Sequence, residues 1–85
     1  MAITIRDVTD RLTAEVAALL RRPVGDVQPE RPLHELGLDS MTFVELMVFI
    51  EKQFGVNPLE AEISQHDIET LGRLAACVHR MMPAS

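Results

Sequence analysis

The sequence predicts an all-α domain: a small bundle of three principal helices plus one short helix, with a long first loop. Three observations carry that prediction. Apolar residues recur at helical spacing in three separate stretches. Each stretch is preceded by a side chain able to cap a helix. Valine and isoleucine never fall into alternating runs bounded by turns, as strands would require. The 85 residues allow one domain, 1–85, and one modest core. The helices are expected at about 5–21, 40–54, 65–69 and 71–81.

The first helix is expected to start after Thr4, where Thr4 and Asp7 form a capping pair. Ile5, Val8, Leu12, Val16, Leu19 and Leu20 then share an apolar stripe. Arg6, Asp10, Arg11 and Glu15 lie off it and should be solvated. Arg21 and Arg22 are expected in the last turn, where cations suit the negative end of the helix dipole. Pro23 stops the helix, because it lacks an N–H and disfavours helical geometry at the residue before it.

Pro23 to Leu38 holds three prolines, two glycines and no sustained period, so it reads as a long loop. Such a loop must be pinned, and Val24, Val27, Leu33, Leu36 and Leu38 are the expected pins. A long crossing loop permits a topology that a tight turn forbids. His34 within it reads as a solvated side chain.

The second helix is the feature around which the chain is organised. Asp39 is its expected N-cap, Ser40 its first residue and Gly55 its stop. On a helical wheel Phe43, Leu46, Met47, Ile50 and Phe54 gather on one broad face, the expected core side. Met41, Val44 and Val48 form a second apolar stripe roughly opposite, bordered by Glu45, Glu51 and Lys52. Ser40 sits at the upper end of that stripe. A small domain is poorly able to enclose a helix that is apolar all round. The second stripe is therefore either covered by loops or is a docking surface.

After Gly55, Asn57-Pro58 can open a single helical turn. Ser64 and Asp67 repeat the capping pair and should open a short helix through Ile68. Thr70 is the expected N-cap of the last helix, with Leu71, Leu74, Ala75 and Val78 inward and Arg73, His79 and Arg80 outward. Cys77 reads as a small buried or half-buried residue, and Pro83-Ala84-Ser85 as a frayed tail.

Composition excludes several functions. The net charge of −5 is unsuited to nucleic acid, whose phosphates need a basic face. One cysteine forms no internal disulfide. No stretch is long and apolar enough to span a bilayer, and no early hydrophobic run resembles a signal peptide, so a cytoplasmic protein is expected. A catalytic Ser40 would need a base within reach, and no G-x-S-x-G elbow surrounds it. No His/Cys/Asp cluster has metal-ligand spacing, and no glycine-rich phosphate loop exists. The expectation is a protein that is not an enzyme.

Gly37-Leu38-Asp39-Ser40-Met41, followed by Val44-Glu45-Leu46 and the Phe54-Gly55 helix end, resembles the attachment region of the acyl and peptidyl carrier proteins. The resemblance runs from about Val16 to Val78. It implies a carrier-protein-like fold. It also implies a 4′-phosphopantetheine arm on Ser40, holding acyl or aminoacyl groups as thioesters. The partners implied are a phosphopantetheinyl transferase, an acyl- or aminoacyl-loading ligase or acyltransferase, and a downstream ketosynthase or condensation enzyme. Nucleic acid and membrane are not among them, and a monomer is expected. Positions matching Asp39, Met41, Val44, Glu45, Val48 and Glu51 commonly contact partner enzymes in that family.

The stretch from Glu62 to Leu71 looks most like free-standing carriers of natural-product assembly, and the methionine start suits a discrete protein. Polyketide or nonribosomal peptide biosynthesis is expected first, primary fatty acid synthesis second. The rival from another class is a helical interaction module without a prosthetic group.

Overall fold

The computed structural model describes residues 3–60 and 64–82. The expected tail at Pro83-Ala84-Ser85 lies outside them. So do Glu62 and Ile63, at the start of the stretch likened to free-standing carriers. Three α-helices and four single 3-10 turns make up the described fold, with no strand among the described residues.

Helix α1 runs from Ile5 to Leu20. Its start is the predicted capping box. The Asp7 N–H donates to Thr4 Oγ1 at 3.1 Å, and the Thr4 N–H donates to Asp7 Oδ2 at 3.3 Å. Val8, Leu12 and Val16 are buried as the stripe predicts, and Thr13 and Ala17 join them. The Thr13 hydroxyl is satisfied by donating to the Thr9 carbonyl at 2.7 Å. Ile5 is exposed, and Leu19 and Leu20 are only half-buried.

The helix stops one residue before the predicted end. Arg21 and Arg22 therefore lie beyond the last turn, not within it. Pro23 bars helical geometry at Arg22, so the chain must leave earlier. It does so through Arg21 in the left-handed conformation, φ 56°. The Arg22 N–H then reaches back to the Ala17 carbonyl at 2.9 Å. A side chain in that region carries a steric cost that glycine avoids. Arg21→Gly is expected to raise stability by about 0.5–1 kcal/mol, read as a higher urea midpoint with an unchanged slope.

The long loop is pinned by Val27, Leu33 and Leu36, all buried, with Leu38 half-buried. Val24 is not a pin. It opens an exposed 3-10 turn, Val24–Asp26, and only Val27 beyond that turn reaches the core. Two backbone hydrogen bonds fasten the loop to the head of the last helix. The Leu33 N–H donates to the Glu69 carbonyl at 2.9 Å, and the Gly72 N–H donates to the Pro29 carbonyl at 3.0 Å. An isolated antiparallel bridge between Pro32 and Thr70 lies in the same place.

Helix α2 spans Ser40–Phe54 and ends on Gly55, whose φ of 73° is the left-handed stop that glycine favours. It buries Leu46, Met47, Ile50 and Phe54. Phe43, expected on the core face, is half-buried because that edge of the face opens onto a groove.

Asn57-Pro58 leads into a 3-10 turn, Pro58–Glu60, as predicted. Ser64 and Asp67 cap reciprocally, each backbone N–H meeting the other's side-chain oxygen at 3.2 Å. They open a single 3-10 turn, His66–Ile68, shorter than the expected 65–69. Helix α3 spans Leu71–Met81, and Thr70 Oγ1 accepts from the Arg73 N–H at 3.1 Å. Leu71, Leu74, Ala75, Cys77 and Val78 are buried. Arg80 is outside and pairs with Asp67 at 3.0 Å. His79, expected outside, is half-buried. Its Nε2 donates to the Ile3 carbonyl at 2.9 Å and draws the ring against the start of the chain. The end of α3 thus meets the start of α1, and the two helices pack antiparallel.

Candidate functional site

The site begins with how the loop enters α2. Leu33–Leu36 is a 3-10 turn, so positions three apart share a face. Leu33 and Leu36 are both buried, which leaves His34 and Glu35 outward. Gly37 follows with φ 90°, a conformation side chains rarely adopt, and no neighbouring atom crowds it. Its requirement for glycine is therefore one of backbone geometry. Leu38 tucks half inward, and Asp39 returns to extended backbone as the N-cap.

Asp39 Oδ1 accepts from the Thr42 N–H at 2.8 Å. That bond, with a smaller contribution from the Thr42 side chain, holds the Asp39 carboxyl below its ordinary value of 3.8. A carboxyl depressed on folding contributes stability above its unfolded pKa and loses it as pH falls through the folded one. The difference in urea midpoint between the native protein and Asp39→Ala is therefore expected to be full near neutrality. It should shrink progressively in acid.

Ser40 is the first residue of α2, exposed, and its hydroxyl has no side-chain hydrogen bond among the described residues. Met41, Val44 and Val48 are 73, 52 and 48% exposed, so no loop covers the second stripe among the described residues. Glu45 and Glu51 border it, both exposed. The Glu51 carboxylate accepts from the Asn57 side-chain amide at 2.8 Å, which fixes its direction. Every residue singled out from the sequence thus falls along one exposed side of α2.

No local pattern signals what lies beside that side. A groove of roughly 490 Å³ opens at Ser40 and Asp39. Its walls are mainly apolar: Leu33, Leu38, Phe43, Val44 and Ile68. His34 and Glu69 complete the lining. The far wall comes from the segment before α3, held there by the Leu33–Glu69 backbone bond. Only tertiary pairing brings residues near 68 beside residue 40, so no local signal could have revealed it. The half-buried Phe43 was the nearest hint, as an aromatic at the edge of the core sector.

An exposed, unbonded hydroxyl at a helix head, beside a groove of ligand size, fits a covalently attached flexible group. No group of His, Cys, Asp and Glu among the described residues could hold a metal ion. No helix among them is long and apolar enough to cross a membrane.

Residues 10–78 match the family model described as "Phosphopantetheine attachment site". The chain is 33% identical over 78 residues to a highly reducing polyketide synthase of Preussia isomera, covering 92% of this chain and 3% of that synthase. It is 42% identical over 73 residues to a mycocerosic acid synthase-like polyketide synthase of Mycolicibacterium smegmatis, covering 85% of this chain and 3% of the relative. It is 36% identical over 61 residues to a non-reducing polyketide synthase of Aspergillus calidoustus, covering 72% of this chain and 2% of the relative. The chain therefore spans only 2–3% of the length of these relatives.

Proposed function

We propose that this chain, which belongs to the family of phosphopantetheine attachment domains, takes its arm on Ser40 and carries acyl intermediates for polyketide assembly. The observation that supports it most is the exposed, unbonded Ser40 hydroxyl at the head of a capped helix.

Ser40 Oγ attacks a pyrophosphate phosphorus of coenzyme A in the site of a phosphopantetheinyl transferase. The new Ser–O–P bond forms as the anhydride bond breaks. Adenosine 3′,5′-bisphosphate leaves, and the hydroxyl proton passes to a base of the transferase. Asp39 holds the first turn of α2 rigid through Thr42, which fixes the direction in which the hydroxyl points. The bound arm supplies a terminal thiol that carries the acyl group as a thioester. Tethering then raises the effective concentration of that group at each partner's active site.

Met41, Val44 and Val48 offer apolar contacts to those partners, ringed by Asp39, Glu45 and Glu51 for basic residues around their entrances. The partners are an acyltransferase or loading ligase and a ketosynthase or condensation enzyme. Weak binding through a small interface suits release after each step. A cytoplasmic location, where coenzyme A meets the protein, belongs to the same reading.

Polyketide assembly is favoured over peptide and fatty acid pathways by the relatives, which are polyketide synthases. They also favour a second reading against the free-standing carrier expected from the sequence. Each holds the similar region inside a far longer chain, so this protein is equally read as one domain of a synthase.

The test is intact mass before and after incubation with coenzyme A and a broad-specificity transferase. One phosphopantetheine should be added, and fragmentation should place it on Ser40. No addition, with a transferase active on another carrier, would sink the tethering mechanism and leave the plain interaction module.

A further inference from the structure

Beyond the attachment itself, and resting on the Ser40 reading, we propose that His34 positions the arm by pairing with its phosphodiester at the mouth of the groove. Attachment makes the Ser40 Oγ an ester oxygen of a phosphodiester that carries one negative charge. Ser40 lines the groove, and so do three side chains that carry or can acquire charge: His34, Asp39 and Glu69. Two of the three are carboxylates. Asp39 is committed to the Thr42 N–H, and its charge repels a neighbouring phosphodiester. Glu69 repels it as well, and His66 Nδ1 lies 3.3 Å from the Glu69 carboxylate. Glu35, on the same turn as His34, adds a third carboxylate nearby but does not line the groove. Among the side chains of the lining, His34 alone can present a cationic or N–H donor to the phosphate.

Its placement is built, not incidental. Leu33 and Leu36 are buried on either side of it, and the Leu33 N–H is bonded to the Glu69 carbonyl. The backbone of His34 is thus held against two elements while its ring stays exposed. The phosphodiester is bonded to Ser40, and the less polar pantetheine body follows it, beside walls that are mainly apolar. Contact with His34 steers the first segment of the arm toward Leu38, Phe43 and Ile68 rather than outward along the Met41 stripe.

The experiment is NMR on the arm-free and arm-loaded protein, with loading verified by intact mass. Loading is expected to shift the His34 imidazole resonances while those of His79, engaged with Ile3 at the other end of α3, stay put. The phosphodiester ³¹P resonance should move between the loaded native protein and loaded His34→Ala, and His34→Arg should restore its position. An exposed residue leaves the fold unchanged on such substitutions, which the amide spectrum checks. Unchanged imidazole resonances on loading, or the same ³¹P position in the native and His34→Ala proteins, would overturn the positioning role alone. Failure of the native protein to load would overturn the attachment reading, and this role with it.

Discussion

Ser40→Ala is expected to abolish loading completely while leaving the unfolding free energy within about 0.5 kcal/mol of the native protein. The oxygen removed is the atom that the proposed attachment uses, so no residual rate is expected. The stability side follows from the same geometry. Ser40 is exposed, its hydroxyl has no side-chain hydrogen bond among the described residues, and alanine is the better helix former. The cap of α2 is Asp39, not Ser40, so the helix start survives. Intact mass after transferase treatment reads the first effect and urea unfolding the second. A protein that still loads would place the arm elsewhere, and one that unfolds would mean Ser40 is structural.

The second large effect separates the two apolar faces of α2. Leu46 is fully buried among side chains of the core, so Leu46→Ala is expected to cost about 2–5 kcal/mol. In a domain of 85 residues that is a large share of the total, and the variant should be partly unfolded at room temperature. Val44 lies on the opposite stripe and is 52% exposed. Val44→Asp is expected to shift stability by less than about 1 kcal/mol but to slow acyl transfer to and from a partner enzyme severalfold. Thermal unfolding beside a transfer assay distinguishes them. Comparable unfolding of both variants would mean that the stripe is core.

Much of this architecture was legible locally. Capping pairs at Thr4 and Asp7, at Ser64 and Asp67, and the caps Asp39 and Thr70 fixed where elements begin. These signals span three or four residues, so nothing tertiary can hide them. The apolar stripe of α2 was legible for the same reason, because periodicity places side chains on faces without knowledge of neighbours. Its exposure was not, since two readings shared one pattern. Errors fell where a neighbour decides. Val24 was apolar but had no partner across the loop, and His79 was polar but found the Ile3 carbonyl. Arg21 was read as helical because a left-handed arginine has no composition signal. The groove beside Ser40 depends on the Leu33–Glu69 bond across 36 residues of sequence, which no local window contains.

The contact between His79 and Ile3 has a mechanical consequence. It gathers both termini of the described fold at one pole, while Ser40 shares its groove with Ile68 and Glu69 at the other end of α3. Eleven helical residues, about 16 Å of α3, lie between the poles. Wherever flanking chain holds this domain, the pole with both ends is a fulcrum and the helix a lever with the serine at its tip. Small rotations at the fulcrum are carried along the helix to the tip. A pull on both ends loads the α1–α3 contact from its open end, so the pair would part like a zipper rather than slide.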